Sequence, residues 1–308
     1  MSNATTPPQP WRKVLYEQPA GLQDNYTDAT FLEALVVNAT VPRRQYWSVV
    51  QGSVAVVQQI NIVAAIATAA LQLHEVPTAQ SIHHHYHHHH QGLLAPTTLL
   101  ALNILVLAAL GVACLLTGEP LPGGSLRRAL RQVTLLTAGV YLLAPTYGTL
   151  SKTISTDTIV AVSTLLLLLH LLLHDYHFVN DEAARLRGVA SMGAAVFAAV
   201  LLASRLQTDM RVFSHLTHSL TLFLLSPFLL RYVRRLSFGL HVLVTLGVGA
   251  LTTAMMARVS AVATAVHLAA CAFVCFGAPA WLVRIQKFKA QINGPWDEAV
   301  PNRLRPTE

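Results

Sequence analysis

Long apolar runs separated by short polar stretches dominate this chain of 308 residues. About 17–25 helical residues cross a hydrocarbon core of about 30 Å, and eight runs have roughly that length. Each must be helical, because an unpaired backbone group in lipid costs several kcal/mol. The pattern predicts an all-α, polytopic membrane bundle. The predicted spans are Val49–Leu73, Ala95–Leu116, Ala129–Leu150, Thr158–Leu173, Gly188–Ser204, Val212–Leu230, Leu240–Ala257 and Ser260–Val283.

The basic residues lie mostly on one side of these spans. If the spans alternate in direction, 17 of the 21 Lys and Arg fall on one side and four on the other. The positive-inside rule then places both termini in the cytosol. An odd number of spans would scramble this asymmetry, so it also supports eight. Only a short polar break around Arg258 separates the last two spans, and one kinked helix is the alternative there.

Three regions follow from this topology. Residues 1–48 form a cytosolic segment whose apolar residues suit a helix on the membrane surface. Residues 49–283 form the eight-span domain, with a luminal His-rich loop at 74–94, and residues 284–308 form a cytosolic tail. Residues 1–48 contain no apolar stretch of signal-peptide length, so the first span is expected to act as the insertion signal.

Composition narrows the function. The chain is 53% hydrophobic and 11% charged, with a net charge of +7. Its basic residues cluster at span ends, where anionic headgroups explain them, so no nucleic-acid partner is predicted. The three cysteines lie inside spans and imply no disulfide framework. P-loop, GxGxxG, HExxH and GxSxG motifs are absent, so no cofactor is predicted.

Two histidine patterns raise the question of a metal. The run His83–His90, interrupted by Tyr86, is favoured as a low-complexity insertion over a metal-capture site, because its ligands are interchangeable. His170, His174 and His177 share one helix face if the fourth span continues that far. With Asp175 nearby they suggest an acid–base or metal site, but an interfacial helix end is the favoured interpretation, and no metal is predicted.

Polar residues within and beside the spans are the next candidates. Gln58, Gln59 and Asn61 lie near the middle of the first span, where amides favour bonds to other helices. Asp157 follows Ser155 at the start of the fourth span, as in a capped helix N-terminus. It is expected on the non-cytosolic face.

Basic and acidic clusters flank several spans. Arg127, Arg128 and Arg131 form one basic turn, and Arg231, Arg234 and Arg235 form another. Each can hold the phosphate of an anionic lipid such as phosphatidylinositol, and the positive-inside rule explains them equally well. In the C-terminal tail, Trp296 suits the headgroup level, and Asp297 with Glu298 favours a protein contact over catalysis.

Nine short stretches form an ordered set along most of the chain: Trp11–Glu17, Asp24–Tyr26, Phe31–Glu33, Gln45–Trp47, Gly92–Pro96, Ser155–Ile159, Asp175–Tyr176, Ala203–Leu206 and Gly294–Ala299. Together they resemble the PIG-C family, a membrane subunit of the phosphatidylinositol N-acetylglucosaminyltransferase complex of GPI-anchor synthesis. The His-rich loop departs from the family pattern, and His174 stands where that pattern favours an aromatic residue.

The resemblance implies a non-catalytic subunit in the endoplasmic reticulum membrane. A PIG-A-like partner would transfer N-acetylglucosamine from UDP-GlcNAc to phosphatidylinositol on the cytosolic face. This chain would seat that partner and position the lipid acceptor, and it offers no catalytic residue of its own. The alternatives are a lipid transporter or flippase and a stand-alone enzyme that uses His170, His174 and Asp175. The candidate family-motif and interface residues are Tyr46, Trp47, Gln58, Gln59, Asp157, Asp175, Tyr176, Trp296, Asp297 and Glu298.

Overall fold

Helices account for almost all of the chain that can be described in the computed structural model. The described residues are 36–37, 44–74, 94–119, 121–122, 124–149, 153–180, 188–289 and 292–293. The helices are α1 Tyr46–Leu73, α2 Pro96–Thr117, α3 Leu126–Tyr147, α4 Thr156–Leu173, α5 His177–Asn180, α6 Val189–Ala203, α7 Asp209–Leu236, α8 Phe238–Ala257, α9 Ala261–Ala272 and α10 Ala278–Ile285. A π-helical turn, Phe273–Gly277, joins α9 to α10, and a 3₁₀ turn follows at Gln286–Phe288.

The all-α prediction is confirmed, and a helix lies at each predicted span. The exception is a pair of two-residue antiparallel strands, β1 Val36–Val37 and β2 Ile292–Asn293. The strands belong to a small unit formed by the two terminal regions, whereas residues 46–281 form a separate compact unit, the helical bundle.

Six helices in the described part of the chain are long and apolar enough to cross a membrane: α1, α2, α4, α7, α8 and the continuous helix Ala261–Phe288. The other two predicted spans, α6 and α3, do not meet both the length and the apolar composition of these six. Helix α6 has 15 residues and is about 22 Å long. Helix α3 has sufficient length but carries three arginines in its first two turns. Eight crossings and cytosolic termini therefore stay predictions.

Helix α7 lies at the centre of the bundle and contacts α1, α2, α3, α5, α6 and α8. Helix α6 packs against α4 and α7 through alanines with no exposed surface. Small side chains at this spacing let helix backbones approach closely, which is how helices associate in lipid. The fully buried alanines are Ala195, Ala198, Ala199 and Ala203.

The last two predicted spans are separate helices. Helix α8 ends at Ala257, and Ser260 begins the next by accepting a 3.3 Å hydrogen bond from the backbone N–H of Ala263. A side-chain cap of this kind satisfies a donor that the first helical turn leaves without a partner. The kinked single helix considered for this region is not what the chain forms.

Candidate functional site

One end of the bundle collects arginines on several helices and is called the basic end. Arg234 Nη1 donates to the carbonyl oxygen of Gln51 across 3.4 Å. Arg235 forms an ion pair with Glu119, just beyond the end of α2. These contacts bring the start of α1, the end of α2 and the end of α7 to the same level.

The opposite end is fixed by two other arginines. Arg211 Nη1 donates to the carbonyl oxygen of Leu73 across 3.2 Å, and Arg205 Nη2 donates to the carbonyl oxygen of Ile154. Helices α1 and α7 are therefore antiparallel. These directions agree with the alternation of spans that the sequence predicts.

The three arginines of α7 contact neighbouring helices. Arg231 Cζ lies 4.5 Å from the ring centroid of Phe178, and Arg234 Cζ lies 5.4 Å from that of Phe238. Cation–π contacts at this range contribute about 0.5–1 kcal/mol when exposed and more when desolvated. Together with the Arg235–Glu119 pair, they give the α7 cluster a structural role at the basic end.

The arginines of α3 are placed differently. Arg127, Arg128 and Arg131 are all exposed and occupy the first two turns of the helix. The guanidinium of Arg128 lies over the preceding loop at Gly124. The sequence contains two similar arginine clusters. In the structure the α3 cluster is exposed, whereas the α7 cluster contacts neighbouring residues.

An apolar cavity of about 760 Å³ lies between α2, α3 and α7. Its apolar lining includes Leu107, Leu110, Leu126, Leu130, Val133, Leu136, Val140, Leu220 and Leu224. Polar groups are few, and Glu119 marks the end of the cavity that lies at the basic end. Ligand pockets in proteins commonly have volumes of 300–1,000 Å³ with mostly apolar walls.

A buried polar network links three helices in the interior. Gln59 Nε2 lies 2.7 Å from His170 Nε2, and His170 Nδ1 lies 3.0 Å from the carbonyl oxygen of Ser191. A carbonyl only accepts, so Nδ1 carries the proton and Nε2 accepts from the Gln59 amide. Ser191 Oγ donates to the carbonyl oxygen of His170 across 3.0 Å. Each ring nitrogen of His170 thus has a structural partner.

The other two amide residues near the middle of α1, Asn61 and Gln58, are also buried. The backbone carbonyl oxygen of Asn61 accepts from Thr252 Oγ1 at 3.3 Å, which ties α1 to α8. Cys271 Sγ lies 3.6 Å from Asn61 Oδ1. The Oε1 atom of Gln58 meets no partner among the described residues. These amide positions therefore face neighbouring helices instead of lipid.

The three-histidine face does not form. Helix α4 ends at Leu173, His174 adopts an extended conformation, and His177 starts α5 with its side chain exposed. The His170 and His174 rings touch, with centroids 5.2 Å apart. The condition for the metal or acid–base alternative, a fourth span that continues as one helix to His177, is therefore not met. In the described part of the chain, no three His, Cys, Asp or Glu side chains are grouped to share a metal ion.

Asp175 and Tyr176 shape the chain where α4 ends. Asp175 Oδ1 accepts from the backbone N–H of Phe178 at 3.3 Å, and the Tyr176 hydroxyl donates to the carbonyl oxygen of Leu171 at 2.6 Å. Burial lowers the pKa of His174 to about 4, helped by the adjacent His170 and opposed by Asp175. Burial raises the pKa of Tyr176 to about 12. Both His174 and Tyr176 are neutral at pH 7.

Tyr46 and Trp47 begin α1. Their rings meet edge to face with centroids 5.1 Å apart, and Trp47 is 67% exposed. The Tyr46 hydroxyl lies 3.5 Å from the carbonyl oxygen of Phe276 in the π-helical turn, and Ser53 Oγ lies 3.3 Å from that of Cys275. A π turn displaces carbonyls from regular helical bonding, and both hydroxyls of α1 lie close to carbonyls of this turn.

Asp157 occupies the first turn of α4 with its side chain exposed. Ser155 supplies the cap, since its Oγ accepts from the backbone N–H of Thr158 at 3.3 Å. Ile154 lies at the end of the bundle opposite the basic end, so Asp157 belongs to that opposite end. This is the placement that the topology predicts relative to the arginines.

Several predicted features lie outside the described residues. They include Trp296, Asp297 and Glu298, most of the His-rich loop, and the apolar positions of the interfacial helix in the N-terminal segment.

Sequence reasoning missed two pairings and the cavity. Glu119 carries no motif that would mark it as the partner of Arg235. His218 Nδ1 lies 2.8 Å from Asn103 Oδ1 and joins α7 to α2. A histidine and an asparagine inside apolar runs were the available signal, but only the structure shows that they meet.

The chain is similar along most of its length to known proteins. The profile of a family described as phosphatidylinositol N-acetylglucosaminyltransferase matches residues 11–297. A Dictyostelium discoideum relative is 35% identical over 94% of this chain and 79% of its own length. A Homo sapiens protein named as a subunit of that transferase is 33% identical, over 94% of this chain and 92% of its own. A Schizosaccharomyces pombe protein named as the GPI2 subunit of the transferase is 29% identical, over 97% and 89% respectively. No solved structure matches.

Proposed function

Since this chain belongs to the GPI2 (PIG-C) family of phosphatidylinositol N-acetylglucosaminyltransferase subunits, we propose that it is a non-catalytic membrane subunit of that transferase. The complex moves N-acetylglucosamine from UDP-GlcNAc to phosphatidylinositol, the first step of GPI-anchor biosynthesis. Within it, this chain seats the catalytic subunit and positions the lipid acceptor. We place it in the endoplasmic reticulum membrane with both termini in the cytosol.

The observation that carries this proposal is the basic end beside an apolar cavity. Arg127, Arg128 and Arg131 are exposed there, next to the apolar cavity of about 760 Å³. Arginine near a membrane surface attracts anionic headgroups by about 1 kcal/mol per charge. An anionic lipid acceptor held at this end would be aligned for a cytosolic partner.

Alignment is a sufficient role for such a subunit. Holding two reactants in a reactive geometry supplies several kcal/mol of barrier reduction without any acid–base group. The histidine of the interior network, His170, uses both ring nitrogens to join helices. This arrangement favours the scaffold over a stand-alone enzyme that relies on His170.

The partner of the chain is a PIG-A-like subunit with a nucleotide-sugar site. Its docking surface would lie at the basic end, because UDP-GlcNAc is cytosolic in this scheme. Trp47 is the described aromatic side chain that suits such a contact, being two-thirds exposed at the start of α1. Trp296, Asp297 and Glu298 are further candidates from the sequence.

Purification in mild detergent tests the proposal. The full chain should co-purify with a PIG-A-like subunit, and transfer of N-acetylglucosamine to phosphatidylinositol should follow that subunit through fractionation. H170F should lower stability without removing activity from the complex that still assembles. Transfer by the isolated chain, or purification without any glycosyltransferase subunit, would overturn it.

A further inference from the structure

We infer that the cavity between α2, α3 and α7 holds one acyl chain of an anionic glycerophospholipid, whose phosphate lies among the arginines of the basic end. The inference rests on the proposed function, because it says where the lipid acceptor sits. It goes further by separating a tail site from a headgroup site. Each part is carried by different residues.

The walls of the cavity suit hydrocarbon. Helix α2 contributes Leu107, Leu110 and Leu115, and α3 and α7 face them with further aliphatic side chains. A tail that enters from the bilayer exchanges one apolar environment for another, so van der Waals packing against these side chains, together with the headgroup contacts, retains the lipid.

The cavity is deeper than one leaflet of hydrocarbon. On α3 its lining runs from Leu126 to Val140, which is about 21 Å along the helix. One leaflet of hydrocarbon is about 15 Å deep, half of a bilayer core. An acyl chain entering at the basic end would therefore reach the bilayer midplane within the cavity.

Charge at the mouth favours an anionic headgroup. Leu126 and Glu119 line this end of the cavity. Arg127, Arg128 and Arg131 occupy the first two turns of α3, which begins at Leu126, and Arg235 is paired with Glu119. Glu119 is the acidic residue lining this cavity. The phosphodiester of an anionic lipid is thus expected to lie near the exposed start of α3. A zwitterionic headgroup would be attracted less strongly by these arginines.

Gly111 opens the wall on α2. It lines the cavity, and a Cβ added there meets no atom within 4 Å. A leucine at this position would project into the space assigned to the tail without striking the backbone. Gly193, on α6, offers a matched control, because it is exposed, has the same open surroundings and does not line the cavity.

The test compares G111L with G193L in the full chain, purified in its complex and placed in nanodiscs. One set contains phosphatidylcholine alone, and a second adds phosphatidylinositol at about one part in ten. Lipid retained through detergent washing is quantified by mass spectrometry. We expect phosphatidylinositol to be enriched on the parent chain and on G193L. G111L should retain about tenfold less, because its side chain occupies the space assigned to the tail.

Native cysteines give a second readout. Cys114 lines the cavity, whereas Cys271 and Cys275 lie outside it on the helix that follows α8. In a C271S/C275S background, phosphatidylinositol should slow labelling of Cys114 by an apolar maleimide. V133F narrows the cavity from α3 and replaces G111L if that variant does not fold.

The outcomes separate this inference from the proposed function. Equal retention on G111L and the parent chain would overturn the tail site. Equal retention of phosphatidylcholine and phosphatidylinositol would overturn the anionic headgroup. In both cases the complex would still assemble and transfer N-acetylglucosamine if the proposed function holds. Phosphatidylserine nanodiscs decide whether the headgroup site recognises negative charge in general or inositol in particular.

Discussion

Gln59 and His170 stand 111 residues apart in the chain, and their side-chain nitrogens lie 2.7 Å apart in the bundle interior. Gln59 lies in the first long helix, and His170 lies near the end of α4. With Ser191 completing the network, one imidazole joins α1, α4 and α6. The hydrogen bond fixes the orientation of α4 relative to α1, because rotation of either helix about its axis would break it.

Replacing Gln59 by alanine should destabilise the bundle. The substitution leaves His170 Nε2 buried without a donor, so we expect a loss of about 1–2 kcal/mol in unfolding free energy. Denaturation by SDS in mixed micelles measures it. Q51A is the control on the same helix, where the side chain is exposed, and it should change stability by about 0.5 kcal/mol or less. A Q59A variant as stable as Q51A would contradict the network.

The ion pair of Arg235 with Glu119 should be revealed by charge reversal. R235E places two acids together and should lower thermal stability, and E119R/R235E should recover most of the loss. Because both side chains are partly exposed, at 21% and 33%, the pair contributes about 1 kcal/mol or less. The effect should shrink in high salt. Additive losses in the double variant would rule out a direct pairing.

Acidification should destabilise the chain through His174. Burial holds its pKa near 4, whereas in the unfolded chain it titrates near its ordinary value of about 6.5. As pH falls from 6.5 towards 4, the unfolded state binds a proton that the folded state refuses, so stability falls in that window. H174F removes the titrating imidazole. Its melting temperature should therefore drop less between pH 7.5 and pH 5 than that of the parent chain, and an unchanged drop would contradict the assignment.

The two arginine clusters should give different defects. R127Q/R131Q removes exposed charges, so we expect KM for phosphatidylinositol in the complex to rise by about fivefold per arginine, with the melting temperature unchanged. R231Q/R234Q removes the contacts with Phe178 and Phe238 and should lower the melting temperature. Transfer assays and thermal melts on the same preparations separate the two. Equal effects from both pairs would refute the division.

Cysteine labelling tests the proposed orientation. In a background with Cys114, Cys271 and Cys275 replaced by serine, S125C should react with an impermeant maleimide added to the cytosolic side of sealed microsomes. Q207C, at the opposite end, should react only after the membrane is permeabilised. Ser125 precedes α3 and Gln207 precedes α7. Labelling of both from one side would exclude the alternation of spans.

The sequence predicts the helices because lipid leaves the backbone no alternative. Each predicted span contains a helix, and several helix ends differ from the predicted bounds by a few residues. Thr208, for example, starts α7 three residues before the predicted span by accepting a hydrogen bond from the N–H of Arg211. Apolar length is read directly from composition, so this part of the fold needed no tertiary information.

The sequence alone could not predict where α4 ends or that the cavity exists. The helix stops at Leu173 because Tyr176 bonds back to Leu171 and Asp175 bonds forward to Phe178. Periodicity cannot anticipate either bond. The cavity depends on how α2, α3 and α7 are spaced, and no local pattern encodes the distance between three helices. The role of Glu119 likewise depends on its ion pair with Arg235, which lies far along the chain.

Helix α6 has a consequence for the surrounding membrane. Its 15 residues extend about 22 Å, whereas hydrocarbon is about 27 Å thick in the endoplasmic reticulum and about 32–33 Å in the plasma membrane. Alanine packing against α4 and α7 holds α6 in place. If α6 crosses the bilayer, as the sequence predicts, the lipid beside it must thin to match its length. The elastic cost of that hydrophobic mismatch grows with membrane thickness, so it is smaller in an endoplasmic reticulum bilayer than in a plasma membrane.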